Sequence, residues 1–413
     1  MGYLKRIADA ELAELLGFMG AVVIEGPRGC GKTETGRQIA ASEVLLDTDP
    51  QAIALADVDP GLLLPGATPR LLDEWQAVPS IWNHVRREVD TRQSPGQFIL
   101  TGSATPADDQ TRHSGAGRFA RLRMRPMSLF EAGRSTGATS LESILGGEPT
   151  ASPASDLTLS DLIDEVLMGG WPGFRQMKVS EATVAVRSYI DQTCRTDVQQ
   201  IDETRQDPLR VRAVVESLAR NTATPTPLTS IARDCGALGI ADDTVASYVN
   251  ALERLMVVEN QPAWRAHLRS SHQLRVSPSR HFVDPSLAAA AVRATPESLH
   301  ADLNFFGLLF ESLVIRDLRI YAQPLAGEVC RYRDSSGLEV DAVVDTGSEW
   351  AAFEVKLASA RVDEAAANLL KFADRVDTSR RGKPAALAVI TGNGYGYVRA
   401  DGVHVIPIGT LAP

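Results

Sequence analysis

Over the first 130 residues, short apolar runs alternate with helix-spaced patterns, the arrangement of an α/β domain built on a parallel sheet. The runs predict five strands, roughly Ala21–Glu25, Glu43–Leu46, Arg70–Leu72, Gln97–Thr101 and Arg121–Arg125. Ahead of them, MGYLKRIADAELAELLG reads as an amphipathic helix carrying acids rather than as a secretion signal. The pattern breaks in the Ser-, Gly- and Thr-rich stretch Gly133–Ser160, which predicts a loose loop. A helical lid follows, with an apolar helix at Leu162–Met168 that stops at Gly169-Gly170-Trp171-Pro172 and a helical region at Glu181–Val198. An acidic and polar connector lies around Asp202–Pro208.

From Leu209 the pattern predicts three helices, the last over Asp242–Leu255, followed by extended basic sequence, which is the order of a winged helix. The glycine-bearing turn Gly236–Ile240 between Pro227–Cys235 and Asp242–Leu255 has helix-turn-helix spacing. Thr244, Ser247, Tyr248 and Asn250 on the second helix suit phosphates or base edges, whereas Asp242, Asp243 and Glu253 oppose insertion into DNA. The remainder predicts a third α/β unit: a helix at Ala301–Tyr321, strand-like runs at Glu328–Tyr332, Glu339–Asp345 and Trp350–Lys356, a helix at Asp363–Arg375 and two more strands. The expected division is 1–130, a P-loop core; 131–205, lid and connector; 206–283, winged helix; and 284–413, the C-terminal α/β domain.

A length of 413 residues is enough for two or three cores. The formal net charge of −10 argues against whole-chain attraction to DNA or to an anionic membrane. One stripe departs from that balance: Gln261–Val283 contains no acid and carries Arg265, Arg269, Arg275 and Arg280 among His267, His272 and His281. No uncharged apolar run is long enough to cross a bilayer, so the expectation is a cytoplasmic protein with no membrane partner. Cys30, Cys194, Cys235 and Cys330 lack paired spacing, which argues against a disulfide framework or a zinc site.

The most specific chemistry lies at Gly26-Pro27-Arg28-Gly29-Cys30-Gly31-Lys32-Thr33. It matches G-x-x-x-x-G-K-[ST] between an apolar strand and a helical run, Glu34–Ala41. Glycines let backbone N–H groups turn onto phosphate oxygens, Lys32 brings a cation to the β/γ-phosphates, and Thr33 offers a hydroxyl to Mg²⁺. Phosphoryl transfer also needs an acid for the metal and a group that orients water. Asp73 and Glu74, ending the third strand, fit those roles, and Thr101 and Ser103, ending the fourth, can sense the γ-phosphate. The implied cofactors are ATP and Mg²⁺.

GPRGCGKT, LLDEWQ, FILTGS and GRFARLRMRPMSLFEAG together resemble the AAA+ ATPases, in particular bacterial and archaeal members that join an AAA+ module to a poorly characterised C-terminal region. The resemblance extends through GGWPGF, GLLFESLV and EVDAVVD...FEVK. It implies that Arg118 in GRFARL reaches the nucleotide of a neighbouring subunit, and hence self-association into a ring. The lid arginine that many members place after the helix-starting proline is absent, because Gly173 follows Pro172; Arg175 is the nearest alternative.

In the C-terminal region Glu311 is embedded among phenylalanines and leucines, and Asp341 lies in an apolar strand. Glu354 and Lys356 share one strand face, because strand side chains alternate. Two carboxylates and a lysine can hold Mg²⁺ and activate water. This order resembles the restriction-endonuclease-like superfamily, with Asp341, Glu354 and Lys356 on its D...(D/E)-x-K motif and Glu311 as the helical acid. The combined expectation is ATP hydrolysis coupled to DNA binding, remodelling or translocation. The alternatives are an ATP-gated metal-dependent nuclease and a nucleotide-dependent switch acting on a protein partner.

Overall fold

The computed structural model describes residues 2–103, 115–201, 207–265 and 277–413. Strands β1 (Ala21–Glu25), β2 (Ser42–Leu45), β3 (Arg70–Asp73), β4 (Phe98–Gly102) and β5 (Phe119–Arg123) form a parallel sheet in the order β2-β3-β4-β1-β5. Val23 of β1 pairs with Leu100 on one side and Arg121 on the other. β1 is fully buried from Ala21 to Ile24, which is why it reads as an unbroken apolar run rather than an alternation. One face of the sheet packs on Trp75, Trp82 and Val85, and the other on Leu12 and Leu16 of the N-terminal helix Ala8–Phe18. From β1 the chain crosses to the distant β2 and only later adds β4 and β5 alongside it. The carboxyl end of β1 therefore opens at a reversal of strand order, where ligands bind in sheets of this type.

The Gly133–Ser160 stretch is not a loose loop. It contains β6 (Thr139–Ser140), a short helix Leu141–Leu145, and β7 (Ser152–Ser155), and both strands join partners from the far end of the chain. Their polar sequence hid them, because an edge strand is held by backbone pairing and needs no apolar period. The helix Leu159–Met168 starts at a capping box of Thr158 and Asp161, and Val179–Gln192 follows it. Three helices, Pro208–Arg220, Leu228–Asp234 and Asp242–Arg254, then lead to the antiparallel pair β8 (Val258–Gln261) and β9 (Ser279–Phe282). On Asp242–Arg254, Tyr248 is buried in the core rather than offered to solvent, while Asn250 is exposed. In the basic stripe, Arg269, Arg275, His267 and His272 lie outside the described residues. Arg280 and His281 turn inward: Arg280 donates to the Thr226 carbonyl at 2.7 Å, and His281 is hydrogen-bonded to Ser312 and Gln261.

The expected helix Ala301–Tyr321 forms as Leu303–Ala322, its start fixed by the Asp302 carboxylate, which accepts from Phe305 N–H, and a separate short helix, Pro296–Ala301, precedes it. After it come β10 (Glu328–Arg333), β11 (Glu339–Asp345), β12 (Trp350–Lys356), the helix Val362–Arg375, β13 (Ala386–Thr391), β14 (Gly394–Val398), β15 (His404–Pro407) and β16 (Leu411–Ala412). They build a mixed sheet in the order β10-β11-β12-β13-β15-β14-β7, while β16 pairs with β6. Four strands follow Val362–Arg375 rather than two; the glycine-rich β14 lacks an apolar signal. One continuous core runs from the lid helices through Leu252 and Leu287 to Phe306, Phe310 and Phe353. Among the described residues no helix is long and apolar enough to cross a membrane.

Candidate nucleotide site and C-terminal carboxylate cluster

The loop after β1 is shaped by its glycines. Gly29 and Gly31 have φ of +74° and +105°, a region that penalises other residues. At Gly26 a Cβ would lie 2.3 Å from the Met124 carbonyl oxygen, so only glycine lets the loop rest against the chain leaving β5. Lys32 opens the helix Lys32–Arg37 and curls back, its buried ammonium donating to the Gly26 and Pro27 carbonyls at 3.0 Å each. Thr33, Asp73 and Thr101 meet at one point, with both hydroxyls donating to Asp73 Oδ1, at 2.8 and 2.5 Å. A hydroxyl and a carboxylate beside a phosphate loop form the hard-oxygen set that Mg²⁺ takes, the other positions falling to water and phosphate oxygens.

Glu74 follows in a left-handed conformation, φ +52°, with its N–H held by Thr101 Oγ1 at 3.1 Å. Its carboxylate accepts from Ser103 Oγ at 3.2 Å and from the Gln76 amide. Asp73, Glu74, Thr101 and Ser103, predicted from two strand ends, thus form one hydrogen-bonded group. Gln76 was not anticipated, since nothing in its local sequence distinguishes it from a solvated turn.

Arg6 is the second residue that sequence reasoning missed. Almost fully buried, it donates to the Cys30 carbonyl of the loop at 2.7 Å, to the Arg125 carbonyl at 2.7 Å and to Glu131 at 3.0 Å. From the lid side, Pro172 lies near Gly31, and Asp197 pairs with Arg28 of the loop. Burial raises the Asp197 carboxyl above its ordinary range, against the pull of Arg28. The GGWPGF turn is fixed by backbone contact: a Cβ on Gly170 would lie 2.1 Å from the Met127 carbonyl oxygen, and Gly170 N–H donates to the buried Asp284. Arg175 does not point to the loop but pairs with Glu165 at 2.7 Å. Arg118 sits just before β5, at the opposite end of the sheet from the phosphate loop, and pairs with Asp90 at 2.9 Å.

In the C-terminal sheet, Asp341, Glu354 and Lys356 do converge. Lys356 Nζ lies 2.7 Å from Glu354 and 3.3 Å from Asp341, whose Oδ2 also accepts from Val355 N–H at 2.8 Å. Asn368, unmarked by any motif, donates to Glu354 at 2.7 Å from the helix Val362–Arg375. Burial pushes the Glu354 carboxyl up to about 8, Asp341 adds to this and Lys356 opposes it. Glu311 is brought alongside: burial, then Asp341, raises its carboxyl well above the usual range, while Lys356 draws it down. Burial disfavours the Lys356 ammonium, but the two carboxylates outweigh that and raise its proton affinity. A groove of about 470 Å³ opens beside Asp341, Glu354, Lys356, Asn368 and Lys371. Among the described residues no group of three or more His, Cys, Asp or Glu side chains is placed to hold a metal ion. The Lys356 ammonium already stands between the two expected metal ligands, so this arrangement fits a self-neutralised cluster better than a metal cage.

Residues 19–133 match the AAA domain family, 159–298 a domain of unknown function (DUF8612), and 306–411 another (DUF4143). Over 361 residues, 86% of this chain and 74% of the relative, the chain is 25% identical to an uncharacterized protein of Mycobacterium tuberculosis, Rv2008c. It matches one of Mycobacterium bovis, Mb2031c, to the same extent. Among solved structures, a Walker-type ATPase of Pyrococcus abyssi aligns over 70% of this chain and 96% of its own, with 13% identity and a TM-score of 0.42. The replication initiator DnaA bound to AMPPCP and single-stranded DNA aligns over 60% and 86%, with 15% identity and a TM-score of 0.27. Similarity that low carries no weight beside the family match. The five-stranded parallel sheet, the phosphate loop and the family match coincide in the same stretch, so residues 19–133 form an AAA-like nucleotide-binding domain.

Proposed function

We propose that the chain hydrolyses ATP to ADP and phosphate and couples turnover to work on DNA. The observation that carries the hydrolytic reading is the meeting of Thr33, Asp73 and Thr101 beside the Lys32 loop. In this reading Gly26–Thr33 cradles the triphosphate, and Lys32 exchanges two carbonyl partners for β/γ-phosphate oxygens. Thr33 and Asp73 would hold Mg²⁺, which when bound neutralises charge on the phosphates. Glu74 orients the attacking water, while Thr101 and Ser103 tie its position to that of Asp73. Arg118 completes the site of a neighbouring copy, which requires assembly into a ring. The three helices and the β8–β9 pair act as a winged helix. The test is ATP turnover with and without single-stranded, duplex and branched DNA, for wild type and Lys32→Ala. Stimulation by DNA that disappears in Lys32→Ala supports the reading. Turnover that ignores every DNA favours a switch acting on a protein partner.

A second reading, nuclease activity in the C-terminal region, rests on the convergence of Glu311, Asp341, Glu354 and Lys356. It is tested by incubating wild type and Asp341→Ala with labelled DNA and Mg²⁺ or Mn²⁺; equal products from both remove it.

A further inference from the structure

The turn after β3 holds a side chain to which the proposed chemistry gives no part. Trp75–Ala77 is one tight helical turn, closed by Ala77 N–H on the Glu74 carbonyl at 2.9 Å. Its first residue, Trp75, is buried with its ring 5.0 Å from that of Trp82, which wedges the turn in place. The turn brings the Gln76 amide back onto the acid two residues before it. Gln76 Nε2 donates to Glu74 Oε2 and lies 3.4 Å from Ser103 Oγ, which donates to the same Oε2 at 3.2 Å.

Two donors thus converge on one oxygen of a half-buried carboxylate, and among the described residues no side chain donates to the other, Oε1. The backbone beneath is held as firmly. Glu74 has a left-handed φ of +52°, and its N–H is tied to Thr101 Oγ1 at 3.1 Å. Such a conformation costs free energy in a residue with a Cβ and persists where its neighbours over-determine it. Here they over-determine the direction of one carboxylate.

The far end of the amide carries a cost of its own. Gln76 Oε1 is buried and, among the described residues, has no hydrogen-bond partner. A Cβ on Gly102, at the end of β4, would lie 3.0 Å from it and 2.9 Å from Trp75 Nε1, so the glycine makes room for the amide. Enclosing an unpaired polar oxygen costs about 1–3 kcal/mol. An apolar side chain of similar length would avoid that cost, so the use of the amide lies in what its Nε2 holds.

We propose that Gln76 is a positioning residue for ATP hydrolysis, fixing Glu74 Oε2 so that Oε1 faces the water that attacks the γ-phosphate. A neutral amide suits this task, because it orients the carboxylate without cancelling its charge, as a lysine or arginine there would. The inference rests on the hydrolytic reading and adds to it the group that aims the water-orienting acid.

The test is steady-state phosphate release, with calorimetric uptake of a non-hydrolysable ATP analogue, for wild type, Gln76→Ala, Gln76→Glu and the same changes combined with Glu74→Gln. Uptake in the full chain verifies that each variant keeps a folded site. Gln76→Ala is expected to lower kcat about 10-fold while KM and uptake stay within about twofold of wild type, since no group that holds phosphate is touched. Gln76→Glu keeps the size of the side chain but loses the donor, so it should fall as far; a side chain needed only for packing would tolerate the change. Combined with Glu74→Gln, either change should cost less than about twofold more, because the group that Gln76 aims is already altered. These results together support the inference. It is overturned if Gln76→Ala turns over as fast as wild type or faster, if Gln76→Glu matches wild type, if uptake falls along with turnover, or if the loss multiplies in full onto Glu74→Gln. Wild-type turnover that depends on Glu74 but ignores Gln76 overturns it and leaves the hydrolytic reading standing, whereas uptake without any turnover in wild type overturns both.

Discussion

The two lysine-centred sites of this chain are built on opposite principles. Lys32 rests on two backbone carbonyls, partners it can leave when a better anion arrives. Lys356 is locked between Asp341 and Glu354, whose shared charge already neutralises it. A site whose cation is held weakly by its own backbone is ready for a ligand, whereas one whose charges cancel internally gains less from any ligand it admits.

The sharpest way to break this comparison is Lys32→Ala. ATP turnover should fall about 10²–10³-fold, the scale of losing one charge-stabilising group, in a steady-state phosphate-release assay. Turnover within threefold of wild type would mean that Lys32 is not the phosphate cation. Glu74→Gln should cost about 10²-fold in turnover while calorimetry shows nucleotide uptake retained, because it removes a water-orienting group and not a binding one. In the other site, Lys356→Met should act on stability instead, costing about 2 kcal/mol in a denaturant titration, since it leaves the buried Asp341–Glu354 pair without its cation. ATP turnover should barely move.

A pH series sharpens the contrast further. Because the Glu354 carboxyl is raised to about 8 in the folded chain, the fold binds a proton there that the unfolded chain releases near its ordinary value. The associated stability is complete at low pH and is lost as pH rises towards and through about 8. Wild type should therefore lose more melting temperature between pH 6 and 9 than Glu354→Gln; parallel curves would contradict the buried-proton picture. The smallest effect belongs to Arg118→Ala. Its pair with Asp90 is exposed, so stability should change by less than about 1 kcal/mol. On the proposed ring reading, turnover should drop only at concentrations high enough for copies to meet.

What could be read from the sequence follows the range of the interactions. The phosphate loop is local: glycine conformations, the lysine and the hydroxyl sit within eight consecutive residues, so the motif and its geometry are nearly the same information. Asp73 and Glu74, and Asp341, Glu354 and Lys356, were legible one step further, because strand ends and strand alternation place them. Arg6 and Gln76 were not, since each matters only through a partner that the fold brings near: the Cys30 carbonyl and the Glu74 carboxylate. Glu259 is the same case across domains, a lone acid in sequence that gathers Arg123, Arg125 and Arg319 in space. Tyr248 shows the opposite error, a polar-looking residue on a helix face that the core absorbs.

The strands β6 and β7 carry a consequence for anyone dissecting the chain. They leave the AAA domain early, yet one pairs with β16 and the other closes the edge of β14. A fragment starting at 284 would lack both, exposing the β14 backbone and inviting it to zip onto a second molecule. The C-terminal sheet cannot be completed until these strands arrive from more than two hundred residues upstream. A faithful excision would need to tether residues 134–157 back to it as a grafted leader.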